Sequence, residues 1–323
     1  MYWGYSMTED VLLRNTYRIR TATRMFYEQN NRLKKPLKSK YEFIKWIDDG
    51  RLIVMGGASG IGKTAFLLDL MFNLAKDNQE DVVVIYANSE MMIQELTMRL
   101  IVNQFPDKFK MSNVRNAFRD DNPNVEQNLK LVQDRDIDNF VFVNSQSFSL
   151  ENIMEIVRRA RKKDNERVKA LKENGKEAYS KKIFIAIDYL QLLLLDKENL
   201  QQINSTLKQL KDCLVDNNAN AFIVSSLNRE AFKNNNIEMN AFRDSSAIEY
   251  TSDLAVMLCA GLEGDLKLIP GDNERQKLIN YVTLKCIKNR IGKFFSEELI
   301  FDKMCQTFER YNEKNKVSNV SPY

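Results

Sequence analysis

The sequence contains no histidine among its 323 residues. Histidine is the commonest general base and metal ligand near neutral pH, so any proton transfer must fall to carboxylates, lysine or water. The four cysteines, Cys213, Cys259, Cys286 and Cys305, lie far apart, and none forms the close pair that a zinc site or a redox dithiol needs. This spacing is typical of reduced core residues in a cytosolic protein.

Long apolar runs are also missing. None approaches the roughly 20 residues that a membrane-spanning helix needs. The first residues, MYWGYSMTEDV, lack a basic end followed by an apolar core, which a secretion signal would have. We therefore expect a cytoplasmic protein without a membrane partner. The formal net charge of +4 is small, so composition alone does not indicate a polyanionic partner.

A glycine-rich turn joins an apolar run to a helix-forming segment in RLIVMGGASGIGKTAFLLDL, residues 51 to 70. Gly57, Gly62, Lys63 and Thr64 match the G-x-x-x-x-G-K-[ST] pattern of a P-loop. Glycines let backbone N–H groups surround phosphate oxygens, and the start of the helix adds the positive end of its dipole. The alternative is a chance match, but the flanking strand and helix favour nucleotide binding.

The P-loop predicts ATP and Mg²⁺ as cofactors. In this pattern the lysine reaches the β and γ phosphates, and the threonine hydroxyl ligates the metal. The residues expected to surround the nucleotide are Gly57, Ala58, Ser59, Gly60, Ile61, Gly62, Lys63, Thr64 and Ala65.

Apolar strands alternate with helices through most of residues 51 to 226, which predicts an α/β domain with a mostly parallel sheet. The strand IFIAID ends at Asp188, and an acid at that position of a P-loop protein holds Mg²⁺ through water. The strand in DVVVIYANSE is followed by Glu90, which either takes part in catalysis or stabilises the start of the next helix. We expect the P-loop, both acids and Ser226 to converge beyond the carboxyl ends of the strands.

Residues 8 to 31 carry an apolar stripe at helical spacing. This helix either folds back on its own domain or docks on a neighbouring subunit, and the periodicity leaves both possibilities open. A basic linker broken by Pro36 follows, and then a short helix is predicted from Lys40 to Asp49. We divide the chain into a helix and linker at 1–38, the α/β domain at 39–310 and a polar tail at 311–323.

Six segments, in order, resemble the RecA-like ATPase domain of the DnaB family of replicative helicases. GGASGIGKTAF is similar to the family's Walker A motif, NSEMMIQELTMRL to its S-L-E-M segment and IDYLQLL to its Walker B motif. SSLNRE is similar to S-Q-L-N-R, FRDSSAIEYTSDLAVML to L-R-E-S-G-A-I-E-Q-D-A-D, and IKNRIGKF to the K-x-R-x-G strand end. The likeness covers about residues 42 to 310 and implies a RecA-like P-loop NTPase core.

The resemblance implies roles for individual residues in ATP hydrolysis. Lys63 and Thr64 would hold the phosphates and Mg²⁺, Asp188 would position the metal, and Glu90 would polarise the attacking water. Ser226 stands where the family has a glutamine that senses the γ phosphate, and its shorter side chain would reach the phosphate only through water.

Two further groups of residues are assigned by the resemblance alone. Lys288 and Arg290 resemble the pair that the family extends across a subunit boundary to the neighbour's γ phosphate. Without the resemblance, this pair is typical of a solvated strand end. Arg243, Asp244 and Ser246 correspond to the loop that follows the DNA backbone, although Ser246 replaces the family's glycine there.

The resemblance therefore implies a DNA helicase that moves along single-stranded DNA as a hexameric ring or a spiral of identical subunits. A helicase loader or a primase is a further expected partner, although only about fifty residues precede the ATPase domain. The helix at 8–31 falls where the family has a linker helix that packs on the adjacent subunit. Two alternatives remain: a RadA-like, DNA-stimulated ATPase that loads or remodels a complex without unwinding, and a weakly active nucleotide-binding scaffold on a host helicase.

Overall fold

The computed structural model describes residues 36–45, 47–135, 137–144, 149–190, 193, 200–226, 241–242, 245–261 and 279–311. The helix predicted at 8–31 lies outside the described residues. The same holds for Arg243, for Asp244 and for the predicted tail beyond residue 311.

The described strands form one nine-stranded sheet in the order β3-β2-β4-β5-β1-β6-β7-β8-β9. Their bounds are β1 Leu52–Gly57, β2 Val82–Asn88, β3 Phe140–Asn144, β4 Lys182–Asp188, β5 Ala219–Val224, β6 Leu254–Ala260, β7 Ile279–Asn289, β8 Ser296–Asp302 and β9 Thr307–Arg310. Strands β1 to β6 are parallel, and β7 to β9 extend the sheet in antiparallel fashion. Strands β1, β4 and β5 are buried along their whole length, as continuous apolar runs in a covered parallel sheet predict.

Helices cover both faces of this sheet. In the described part of the chain they are α1 Glu42–Lys45, α2 Lys63–Asp77, α3 Ile93–Gln104, α4 Val114–Ala117, α5 Val125–Gln133, α6 Leu150–Glu173, α7 Leu200–Asp216 and α8 Ser245–Thr251. None of these helices is both long and apolar enough to cross a membrane. The predicted α/β architecture with a mostly parallel central sheet is confirmed.

Alternating side chains of the strands feed two separate apolar layers. On one face, Val84 and Phe184 pack in a cluster with α2 residues such as Leu70. On the other face, Ile85 and Ile185 join a cluster with α6 and α7. The period of two along each strand produces this division. It also places the last side chains of neighbouring strands on a common face, which matters for the site below.

The helix predicted at 40–49 is shorter than expected, because α1 covers only Glu42–Lys45. Tertiary contacts organise this segment instead. The Lys40 amine donates hydrogen bonds to the Asp69 carboxylate at 2.6 Å and to the Phe308 carbonyl at 2.7 Å. The Ser39 hydroxyl accepts from the Tyr41 N–H at 3.1 Å, so the expected capping box with Glu42 does not form.

The stretch between α3 and β3 was expected to be variable and polar, but it contains α4 and α5. A small apolar cluster of Val102, Phe105, Phe109 and Val114 holds it together. The guanidinium of Arg135 lies 4.7 Å from the centre of the Phe105 ring. The apolar residues of this segment recur every four or five positions, so the pattern for a local helical unit was present in the sequence.

Asn139 gives a test of how this fold is held at the amino edge of the sheet. Its buried side-chain amide donates to the Ala75 carbonyl at 2.8 Å and to the Val82 carbonyl at 3.0 Å, and so joins α2 to β2. We expect Asn139→Ala to lower the free energy of unfolding by about 1–3 kcal/mol, because two carbonyls lose their donor. Urea denaturation measures this loss. Asn174→Ala, which removes a similar bond from an exposed asparagine, should change it by less than about 0.5 kcal/mol.

Candidate nucleotide-binding site

The turn between β1 and α2 takes a backbone path that requires glycine. Gly60 and Gly62 have φ values of 76° and 106°, a region that residues with a side chain rarely adopt. A Cβ on Gly62 would lie only 2.7 Å from the Phe301 ring, and one on Gly57 would lie 2.8 Å from the Leu258 carbonyl oxygen. The turn is therefore fitted closely against β6 and β8.

Lys63 is folded over this turn. Its amine donates to the Gly57 carbonyl at 2.8 Å and to the Ala58 carbonyl at 2.9 Å. Burial lowers the pKa of Lys63, while the negative charges of Asp188 and Glu90 act in the opposite direction. The ammonium group thus lies at the phosphate-binding turn, within electrostatic range of both predicted acids.

Asp188 is the last residue of β4, and its side chain is almost completely buried. Its carboxylate accepts a hydrogen bond from the Thr64 hydroxyl, and the Tyr86 hydroxyl lies 3.4 Å from Oδ2. Burial raises the pKa of Asp188, whereas the bond from Thr64 lowers it. Because burying a carboxylate is unfavourable, a cation beside it would stabilise the charged form.

The Thr64 hydroxyl and the Asp188 carboxylate fit Mg²⁺. The ion prefers oxygen ligands, keeps several waters and uses one or two carboxylates together with substrate phosphates. The described residues contain no group of three or more acids or cysteines that could hold a metal by themselves. The donor set is therefore that of a metal bound together with a nucleotide.

Glu90 and Ser226 lie at the same edge of the sheet. Glu90 is exposed, follows the end of β2, and is close enough for its charge to affect the pKa of both Lys63 and Asp188. Ser226 is half-buried and comes two residues after β5, which lies between β4 and β1. The structure thus brings the P-loop, Glu90, Asp188 and Ser226 to one edge.

Lys288 and Arg290 lie at the opposite, amino edge. Strand β7 runs antiparallel to β6, so Asn289 pairs with Leu254, the first residue of β6. The Arg290 N–H donates to the Asp253 carbonyl at 2.8 Å, and its side chain is exposed. The structure therefore does not bring this pair to the P-loop of its own chain.

Lys288 contacts the end of α8. Its amine donates to the carbonyls of Glu249 and Ser252 and to the Ser252 hydroxyl, the last at 3.3 Å. Burial, followed by the charge of Arg290, lowers the pKa of Lys288 to about 8. Ser246, from the predicted DNA loop, lies half-buried near the other end of the same helix.

Two residues beside the site, Tyr86 and Asn88, were not found by sequence reasoning. Tyr86 contacts Asp188, and the Asn88 side chain bonds to the loop that carries Glu90. Their signal was available, because both are polar residues in the buried strand VVVIYAN. A polar group in such a strand needs a hydrogen-bond partner, and here the partners lie in the site.

Gly62 gives a direct test of the turn. We expect Gly62→Ala to weaken nucleotide binding by about tenfold or more, because the added methyl group meets Phe301 and the turn must move. Phe301 cannot easily yield, since it stacks on Phe308 with ring centres 4.3 Å apart. Titration with a fluorescent ADP measures the effect. Gly175→Ala is the control, because Gly175 has a φ of 72° but open space around it; equal effects of the two changes would contradict the expectation.

Solved structures with the same fold include ATPase domains of helicases. The ATPase domain of one DnaB-like helicase shares 20% identity and a TM-score of 0.70, covering 92% of this chain and 100% of that one. A DnaB-like replicative helicase, studied with its primase interactions, shares 21% identity and a TM-score of 0.66, covering 91% and 67%. A KaiC-like protein from Pyrococcus horikoshii OT3 is more distant, with 14% identity, a TM-score of 0.50 and coverage of 87% and 98%.

The sequence itself carries the family assignment. No curated protein matches it significantly. The family described as DnaB-like helicase C-terminal domain matches residues 42–310, the region that contains the P-loop, both acids and the Lys288–Arg290 pair. Because this match spans most of the sequence, and the sheet has the RecA-like form found in those ATPase domains, the chain belongs to the DnaB-like helicase C-terminal domain family.

Proposed function

We propose that this protein is an ATP-dependent DNA helicase that moves along single-stranded DNA as a ring or spiral of identical subunits. The observation that supports this most is the position of two sets of residues on opposite edges of one sheet. The P-loop with its acids lies at the carboxyl edge, and Lys288 and Arg290 lie at the amino edge. Each edge would form half of an ATP site.

The length of the strands makes this division strict. Arg290 is bonded to Asp253, whose own N–H donates to the Leu52 carbonyl at 2.8 Å, so it lies level with the start of β1. The P-loop begins at the other end of β1, about 16 Å away at the usual rise per residue. An arginine side chain does not span that distance along the sheet. If Arg290 contacts a γ phosphate, the phosphate belongs to another copy.

Within one site, the roles follow from the contacts described above. Lys63 would bind the β and γ phosphates, and Thr64 and Asp188 would hold Mg²⁺. The metal, when bound, neutralises charge on the phosphate oxygens. Glu90 would orient the attacking water and accept its proton, a task that falls to a carboxylate because the chain has no histidine.

The contact of Lys288 with α8 supports a link between ATP and DNA. Arg243, Asp244 and Ser246 are proposed to hold the DNA backbone, which grips the strand without reading its sequence. Helix α8 begins at Ser245 and has only seven residues, so it joins this loop directly to the carbonyls that hold Lys288. A shift of Lys288 toward a neighbouring nucleotide would therefore change the support of the DNA loop.

The assembly we propose is a hexamer, with a primase or a helicase loader as a further partner. A head-to-tail contact between opposite edges is heterologous, and repeated contacts of this kind form a ring when the rotation closes and a spiral when it does not. One of the solved relatives was studied together with primase, which supports a primase as the first partner to test.

Unwinding of a forked DNA duplex tests the proposed function. With ATP and Mg²⁺ the intact protein should separate the strands, and Glu90→Gln should reduce ATP hydrolysis by about 100-fold or more while nucleotide binding persists. Hydrolysis without strand separation would instead favour the RadA-like alternative. Hydrolysis that is at background in the parent protein and unchanged by Glu90→Gln would favour the scaffold.

Mixed assemblies test whether two copies share a site. Lys63→Ala and Arg290→Ala should each abolish hydrolysis alone. When they are mixed, about one interface in four combines an intact P-loop with an intact Arg290, and activity should return.

Lys63→Ala mixed with Glu90→Gln is the matched control, because both changes fall on the same edge and no mixed interface is complete. Labelled subunits should verify that the variants co-assemble. Co-assembly of Lys63→Ala with Arg290→Ala without any return of hydrolysis would show that Arg290 does not act on a neighbour.

A further inference from the structure

We propose that Asn88 is a positioning residue for hydrolysis, because its side-chain amide fixes the loop that carries Glu90. The inference rests on the proposed role of Glu90 and extends it to a residue that would not contact the nucleotide. Asn88 is the last residue of β2, is almost fully buried, and pairs in register with Asp188 on β4.

Both ends of the Asn88 amide bond to the same residue. Its Nδ2 donates to the Met91 carbonyl at 2.6 Å, and its Oδ1 accepts from the Met91 N–H at 3.4 Å. The first bond is short and strong, and the second is weak. Together they close a small loop that contains only Ser89 and Glu90. The backbone of Glu90 is thereby held between two points that a buried strand fixes.

The described surroundings give this loop little other side-chain support. The Ser89 hydroxyl is buried without a hydrogen-bond partner among the described residues. Helix α3 begins at Ile93, and its N-cap residue, Met92, makes no side-chain capping bond. The Asn88 amide is therefore the group that ties the loop to the sheet.

The orientation of Asn88 connects it with the site. Tyr86 and Asn88 are two residues apart on β2, so their side chains lie on the same face of the sheet. Tyr86 contacts the Asp188 carboxylate, while Asn88 bonds to the Glu90 loop. One strand thus supports both acids, each through a buried polar side chain. An amide buried in a strand is unfavourable unless it is hydrogen-bonded, and Asn88 makes these bonds to the Glu90 loop.

The Asn88→Ala variant separates a positioning role from a structural one. We expect kcat for ATP hydrolysis to fall by about 10- to 100-fold, because a displacement near 1 Å has an effect of that size. Binding of fluorescent ADP with Mg²⁺ should stay within about twofold, since Lys63 and Thr64 are untouched. Asn139→Ala is the matched control: it removes another buried amide, and should lower the denaturation midpoint without lowering kcat of the folded protein. Asn88→Ser, which stays polar but is too short to reach Met91, should also lower kcat, and it replaces Asn88→Ala if that variant does not fold.

A double variant links the effect to Glu90. If Asn88 acts only through Glu90, adding Asn88→Ala to Glu90→Gln should leave the residual rate of Glu90→Gln unchanged. Equal multiplicative losses in the two backgrounds, an unchanged kcat in Asn88→Ala, or a parallel loss of ADP binding would each overturn the inference. If Glu90→Gln hydrolyses ATP like the parent, the proposed role of Glu90 fails, and the role of Asn88 fails with it. If Glu90→Gln is inactive and Asn88→Ala is not impaired, only the inference about Asn88 fails.

Discussion

The buried carboxylate of Asp188 is the group around which the site is built. A negative charge at the end of a covered strand is unfavourable, so the neighbouring elements supply hydrogen-bond donors and positive charge. Thr64 and Tyr86 direct hydroxyls toward it, and Lys63 places its ammonium group nearby. The parallel sheet brings these residues together, because their strands or turns end at one edge. Stability and nucleotide chemistry therefore depend on the same electrostatic balance.

The antiparallel strands β7 to β9 give the domain two different edges. A purely parallel sheet would carry its functional residues only at the carboxyl ends of its strands. Strand β7 reverses the direction, so Lys288 and Arg290 emerge at the amino edge. The hydrogen bonds around Asp253 then hold this edge in place, since its carboxylate accepts from the Leu52 N–H at 2.8 Å and from Lys211. The domain is thus built to contact unlike surfaces.

The sequence predicted those parts of the fold that depend on local pattern. Strands β3 and β6 begin and end where their apolar runs do, and the P-loop turn follows from its glycines. The helix expected from Lys40 to Asp49 was wrong because distant partners, Asp69 and Phe308, organise that segment. Contacts of Lys288 with α8 could not be read from the sequence for the same reason: they join residues more than 30 positions apart. Roles at the site came from the family resemblance and stay predictions.

The Phe301 ring behind Gly62 has a consequence for how the domain can be divided. Phe301 belongs to β8, near the end of the described chain, and it stacks on Phe308 of β9, which in turn meets Phe66 of α2 edge to face. A fragment that stopped before this hairpin would keep every residue of the P-loop motif. It would nevertheless lose the wall against which the turn is shaped, so a minimal nucleotide-binding unit of this protein has to include its last two strands.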